Sequence, residues 1–238
     1  RAGRTQDGAA QFDRVVQLDP DYPDVRVFRA VLAARAEQWQ AAASEVGQFF
    51  RNDPPPVAVQ VLQQEGLEFK VFIGLQPPAT RACWVAAAQG LDPKQGFDQA
   101  FIDRLAACLD KVLELDPTNR AARFSRALSA IGPDRQDLAT AGRLLDGLLA
   151  EDPSDANALL LRARIDLADN RVDAAELAAV RLGQLPRPTA AFLVGEPDDL
   201  LAAVRQARAL ASSTTTTTRS ATVSTVPGAP RIPNAGGG

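Results

Sequence analysis

The chain has 238 residues, which is enough for one or two domains with a buried core. Its formal net charge of −3 comes from interspersed acids and bases, so it carries no basic stripe of the kind that binds nucleic acid. The complete lack of histidine excludes Ser-His-Asp and Cys-His catalytic sites and removes the commonest metal ligand. Ala, Leu and Val are abundant while aromatic residues make up 5%, which favours packed helices over sheets.

Three segments with helical character end on the same dipeptide, Asp-Pro. They are QFDRVVQLDP from Gln11, KVLELDP from Lys111 and LLAEDP from Leu148. Proline disfavours helical geometry in the residue before it, so each Asp-Pro predicts the end of a helix. The residues that follow are typical N-cap types and predict the start of the next helix: Asp21 to Asp24, Thr118 with Asn119, and Ser154 with Asp155.

The prolines that close these segments recur at nearly constant spacing. Pro20 and Pro54 lie 34 residues apart, Pro117 and Pro153 lie 36 apart, and Pro153 and Pro186 lie 33 apart. Small residues recur at matching points of the first and second helices of each pair: Ala30, Ala127, Ala163, Ala42, Ala141 and Ala175. Small side chains let two antiparallel helix axes approach to about 8–10 Å, so the pattern predicts repeated amphipathic helix pairs.

This combination of period, small residues and terminal proline resembles the tetratricopeptide repeat. QFDRVVQLDP is similar to the second half of such a repeat, with Phe12 at its aromatic position. The resemblance covers residues 7–54 and 117–186, whereas residues 55–116 follow it loosely and place Leu105 where a small residue is expected. It implies an all-α solenoid of antiparallel helix pairs.

Further elements are predicted between and beyond the repeats. VAVQVLQQEGLEFKVFIGL predicts a spacer helix over residues 57–73, with Gly74 and Pro77-Pro78 as its stop. EPDDLLAAVRQARAL predicts a capping helix over residues 197–211. The sequence therefore divides into a sub-array over residues 1–76, a second sub-array over 77–211, and a Ser/Thr/Pro/Gly tail over 212–238 that is expected to be disordered.

In tetratricopeptide arrays the first helices line a concave groove. The resemblance implies that this groove, or its edge, is lined here by Val27, Val31, Phe124, Leu128, Ile131, Asn157, Leu160, Arg164 and Leu167. Most of these residues are apolar, which favours an apolar peptide or an amphipathic helix as the ligand. In the competing interpretation, the spacer helix or the capping helix folds back into the groove, and the same residues are core.

Few residues are candidates for a disulfide, a metal site or catalysis. Cys83 and Cys108 fit no zinc-binding spacing, and they are either a disulfide between neighbouring helices or two buried free thiols. The acids Glu196, Asp198 and Asp199 are expected to stabilise a helix start rather than to bind a cation. No cofactor, metal site or catalytic residue is predicted.

These observations predict a non-catalytic protein interaction scaffold, and the alternative is a structural subunit packed permanently in a larger assembly. The stretch LDPDYPDVRVFRAVLAA and its DPPP stop resemble extracytoplasmic repeat domains of actinobacterial membrane proteins related to cytochrome c biogenesis factors. That resemblance implies an unfolded apocytochrome segment as ligand and an extracytoplasmic location, with a cytoplasmic location as the alternative. No membrane span is predicted within these residues, and an anchor before Arg1 stays open.

Overall fold

The computed structural model describes residues 2–19, 22–89, 97–131 and 137–221. Within these ranges the chain is all-helical, and most helices pack against the next helix along the chain. None of the helices described combines the length and the hydrophobicity that crossing a bilayer requires.

The N-terminal part begins with three helices, α1 (Ala2–Leu18), α2 (Pro23–Arg35) and α3 (Trp39–Arg51). Helix α2 has a proline in its first turn, where the missing N–H costs no hydrogen bond. Glu37 adopts a left-handed conformation with φ of 58° in the turn to α3. Arg26 and Glu45 form a buried ion pair of 2.9 Å, which joins α2 to α3.

The predicted spacer helix is two helices, α4 (Pro56–Gln64) and α5 (Leu67–Leu75). The prediction of one continuous helix over residues 57–73 is wrong, because Gly66 has a φ of 56° and breaks the helical path. Glycine adopts this left-handed conformation without the steric cost that a Cβ atom brings. The break allows α5 to run in its own direction and to pack against α2, α3 and α6.

The middle of the chain consists of three helix pairs. Their members, in chain order, are α6 (Pro78–Ala87), α7 (Gln99–Leu115), α8 (Arg120–Ser129), α9 (Leu138–Glu151), α10 (Ala156–Ala168) and α11 (Val172–Leu182). The six alanines predicted at the close-packing points are all fully buried. Helices α8 and α10 begin at Arg120 and Ala156, 36 residues apart, in line with the spacing of the prolines.

The Asp-Pro junctions end helices, as the sequence predicts. Helix α7 stops at Leu115 and α9 stops at Glu151, each one residue before the aspartate. The Asp152 carboxylate accepts hydrogen bonds from the backbone N–H and the hydroxyl of Ser154, at 2.9 and 2.7 Å. Asn119 and Asp155 then cap α8 and α10, each accepting a backbone N–H at 3.0 Å. The aspartate therefore shapes the turn that the proline enforces.

The chain closes with a short helix, α12 (Ala191–Val194), and a long one, α13 (Pro197–Ala221). Helix α13 packs on α11 and α10, which is the place expected for a capping helix. It extends ten residues beyond the predicted end at residue 211, so the predicted tail begins with helical backbone. The rest of the predicted disordered tail, residues 222–238, lies outside the described residues.

Helix α5 contributes to two of the three hydrophobic cores of the described chain. Its residues Leu67 and Val71 pack with α2, α3 and α4 in the N-terminal core. Its residue Phe72 packs instead with α6–α10 in the central core. The predicted division at residue 76 falls just after this helix, so α5 couples the two sub-arrays.

Candidate functional site

The predicted groove is covered by the chain's own helices. Val27, Phe124 and Leu160 have exposed fractions of 2%, 7% and 0%, so they are core residues rather than the lining of an open groove. The Phe124 ring lies 6.4 Å from the ring of Phe72, which α5 supplies. Leu160 packs in a cluster that includes Leu200 of α13. The competing interpretation, in which the spacer and capping helices fill the groove, therefore describes these residues correctly.

The other apolar residues predicted for the groove are half-buried against the same cores. Val31 packs on the N-terminal core, Leu128 and Ile131 pack on the central core, and Leu167 packs on the cluster around α10, α11 and α13. None of these four residues belongs to the lining of a cleft described below.

The two polar residues predicted for the groove hold a segment of the same chain. The Asn157 side-chain carbonyl accepts the Ala190 backbone N–H at 2.9 Å, and its amide nitrogen donates to the Thr189 hydroxyl at 3.0 Å. Arg164 donates to the Glu196 backbone carbonyl at 3.0 Å. Together they fix residues 189–196 against α10. Asn157 and Arg164 therefore act within the fold.

Cys83 and Cys108 form a disulfide that joins α6 to α7, with an S–S distance of 2.03 Å. The bond links the first and second helices of the unit that follows the repeat pattern most loosely. Cross-linking residues 25 positions apart stabilises a chain by about 3 kcal/mol in the chain-entropy estimate. The disulfide therefore adds a covalent link between α6 and α7, in the unit where Leu105 stands at the position that the repeat resemblance assigns to a small residue.

Arg187 connects the N-terminal helices to the C-terminal end of the fold. Its guanidinium lies 2.7 Å from a carboxylate oxygen of Glu68 on α5 and is also paired with Glu196, just before α13. The same guanidinium stacks on the Phe50 ring of α3, 3.9 Å from the ring centroid. Burial raises the pKa of the Glu68 carboxyl, although the charge of Arg187 opposes that rise. We call Arg187, Glu68 and Glu196 the Arg187 cluster.

A cleft of about 440 Å³ opens beside the Arg187 cluster, between α4 and α5 on one side and α12 and α13 on the other. The large apolar side chains that line it are Phe50, Val59, Leu62, Leu67, Phe69 and Phe192. Leu62 and Leu67 are buried and form its floor, whereas the other four are half-buried and form its walls. A cleft of this volume accepts one or two large side chains of a ligand.

The rim of the cleft is polar and mostly acidic. Gln63 and Asp199 are exposed at the rim, and Glu68 and Glu196 line it from the side of the Arg187 cluster. No lysine or arginine belongs to the lining that the structure describes. Arg164 approaches from behind Gly195, where a Cβ atom would come within 2.6 Å of its guanidinium. Gly195, with φ of 93°, is therefore required for this close approach.

The lining residues favour binding over covalent chemistry. Two of the three carboxylates are already paired with Arg187, so they hold helices together. The described residues contain no group of three or more His, Cys, Asp or Glu side chains placed to hold a metal ion. The sequence pattern missed this cleft because its two walls come from segments more than 100 residues apart. The signal that marks it is the glycine pair, Gly66 and Gly195, whose positive φ values shape its edges.

Comparison with known proteins adds no relative. The chain matches no protein-family model, no curated protein and no solved structure. No relative therefore supplies a function for this chain.

Proposed function

We propose that this chain is a non-catalytic protein interaction scaffold that binds a short apolar segment of a partner protein. The observation that carries the proposal is the cleft between α4, α5, α12 and α13, whose floor and walls are apolar and whose rim is open to solvent. Burying an aromatic or aliphatic side chain there contributes about 25 cal/mol per Å² of apolar surface removed from water. The surface differs from the groove that the repeat resemblance implies, in which Phe124 packs near Phe72 of α5 and Leu160 packs near Leu200 of α13.

The surrounding fold supports a binding role. The cleft is built on packed helices, and its walls are fixed by the Arg187 cluster and by the hydrogen bonds of Asn157 and Arg164. A preformed apolar cleft binds a peptide side chain without the entropy cost of first ordering the site. Helix pairs recurring at about 34–36 residues agree with a tetratricopeptide-like scaffold, which remains part of the proposal.

An extracytoplasmic location is also part of the proposal, and the disulfide between Cys83 and Cys108 supports it. Disulfides persist in oxidising compartments and are rare in the cytosol. An unfolded apocytochrome segment is one partner of the proposed kind. Alkylation of free thiols in intact cells before lysis, followed by mass spectrometry of the denatured, unreduced protein, tests the location. Alkylation of both Cys83 and Cys108 would contradict it.

Peptide selection tests the proposed function directly. We expect a display library of random 12-residue peptides to yield binders that compete with one another for the full chain. Substituting Val59→Trp places an indole in the cleft, and we expect the affinity of the selected peptides to fall at least about tenfold, the equivalent of about 1.4 kcal/mol.

The matched control is Val57→Trp. Val57 lies on the same helix, is 67% exposed and does not line the cleft, so its replacement should leave peptide binding unchanged. Circular dichroism spectra of both variants check that the helical fold is kept. Failure to select any competing peptide, or equal binding by the Val59 variant, would reject the cleft as the interaction surface.

A further inference from the structure

All of the charged side chains in the described lining of the cleft are acidic, and this indicates which class of ligand the cleft would bind. Three carboxylates line it, from Glu68, Glu196 and Asp199. The guanidinium of Arg187 pairs with the first two. Arg164 lies behind Gly195 and near Asp199. The side chains that line the cleft therefore include three carboxylates and no lysine or arginine, and the two guanidiniums lie behind the lining.

The excess negative charge sits where a ligand would meet it. Asp199 is exposed in the lining of the cleft and lies near Arg164 without an ion pair between the two among the described residues, so its carboxylate is accessible to a partner. Glu196 is half-buried beside it, and Gln63 on the opposite wall contributes no charge. A purely apolar ligand would partly desolvate these carboxylates without compensation, which costs free energy.

We propose that the cleft recognises a peptide segment of a partner protein in which a large apolar side chain stands next to an arginine or a lysine. The apolar side chain enters between Val59, Phe69 and Phe192, and the neighbouring cation lies on the rim between Asp199 and Glu196. The inference rests on the proposed function, and it adds the chemical identity of the ligand. Charge complementarity of this kind adds selectivity against neutral and acidic segments more than it adds affinity.

Nuclear magnetic resonance titration with three small probes separates the two requirements. The probes are N-acetyl-leucyl-arginine amide, its uncharged counterpart N-acetyl-leucyl-citrulline amide, and N-acetyl-glycyl-arginine amide, which lacks the apolar side chain. The readouts are the backbone amide signals of Gly66 and Gly195, because both glycines line the cleft. We expect the leucyl-arginine probe to shift both signals saturably, with an affinity about three- to fivefold higher than either of the other probes.

Two substitutions at the rim test whether residues there recognise the positive charge of the ligand. Gln63→Lys places a cation at the rim and should lower the affinity of the leucyl-arginine probe about three- to fivefold. The affinity of the citrulline probe should not change. Gln64→Lys is the matched control, since Gln64 is the adjacent exposed residue on α4 and does not line the cleft. Asp199→Asn should abolish the preference for arginine over citrulline. High salt should reduce that preference as well.

Each contrary result overturns the proposal. Equal affinities of the arginine and citrulline probes would remove the cation requirement while leaving an apolar binding cleft, and with it the proposed function, intact. Equal weakening by Gln63→Lys and Gln64→Lys would show a general charge effect rather than recognition at the rim. No shift at Gly66 or Gly195 with any probe would reject recognition at this cleft. Concentration-dependent shifts of these signals without a probe would indicate that a second copy of the chain occupies it.

Discussion

Replacing Phe72 with alanine is expected to lower the free energy of unfolding by about 3–5 kcal/mol. Phe72 is 1% exposed, and its ring lies 5.3 Å from the Trp84 ring, 5.9 Å from Phe192 and 6.4 Å from Phe124. The substitution removes the fully buried aromatic side chain that α5 places in the central core and leaves a cavity between three aromatic rings. Urea denaturation of the full chain measures the loss.

Val57→Ala is the control for this prediction, because Val57 lies on the preceding helix and is 67% exposed. Its replacement should change the free energy of unfolding by less than about 0.5 kcal/mol. A loss below about 1 kcal/mol for Phe72→Ala would mean that Phe72 is not a core residue. The groove around Phe124 would then be open, as the repeat resemblance implies.

Replacing Arg187 with methionine is expected to destabilise the fold by about 3–5 kcal/mol at neutral pH. The substitution leaves the buried Glu68 carboxylate without its cation and breaks the link between α5 and the segment before α13. An uncompensated buried charge costs more than the ion pair itself contributes. The double substitution Arg187→Met with Glu68→Leu should recover most of the loss, because it removes the stranded charge together with its partner.

The same variant should show a distinctive pH dependence. Burial already raises the pKa of Glu68, and loss of Arg187 raises it further. Because its pKa is higher in the folded chain than in the unfolded chain, Glu68 favours folding at low pH, and this contribution is lost as pH rises through the folded-state pKa. The deficit of Arg187→Met should therefore be smaller near about pH 4 than near about pH 7.

Arg208→Met is the control for the Arg187 prediction. Arg208 pairs with Asp173 and Glu176 on the surface and is about half exposed, so its loss should cost no more than about 1 kcal/mol. Thermal or urea unfolding at both pH values gives the comparison. If Arg187→Met loses the same free energy of unfolding at both pH values, Glu68 is not left as an unpaired buried charge. The Arg187 cluster would then not be a structural link between α5 and the segment before α13.

Local features of the fold followed from the sequence because their causes are local. Asp-Pro ends helices through the sterics of the proline ring, and Asn119 and Asp155 cap helices through a hydrogen bond that spans three residues. The alanines at the helix crossings were predictable for the same reason. The break at Gly66 carried a weaker signal, since a helix tolerates a single glycine in its interior.

The covered groove and the cleft did not follow from the sequence because they depend on distant contacts. Helical periodicity shows that Phe124 and Leu160 lie on an apolar face, but the same pattern results whether that face meets a ligand or another helix. Phe72 covers Phe124 from 52 positions away. Arg187 meets Glu68 across 119 positions, and no local pattern distinguishes this arginine from the many others in the chain.

Hydrogen–deuterium exchange of the chain, with and without a peptide selected by display, tests the central claim that the cleft and not the groove binds partners. We expect α5, Leu67–Leu75, to be protected in the free protein to the level of the core helices, because it packs in both the N-terminal and the central core. We expect added protection on peptide binding at residues 59–69 and 191–199. Rapid exchange of α5 in the free protein, with peptide-induced protection confined to α8 and α10, would contradict the account.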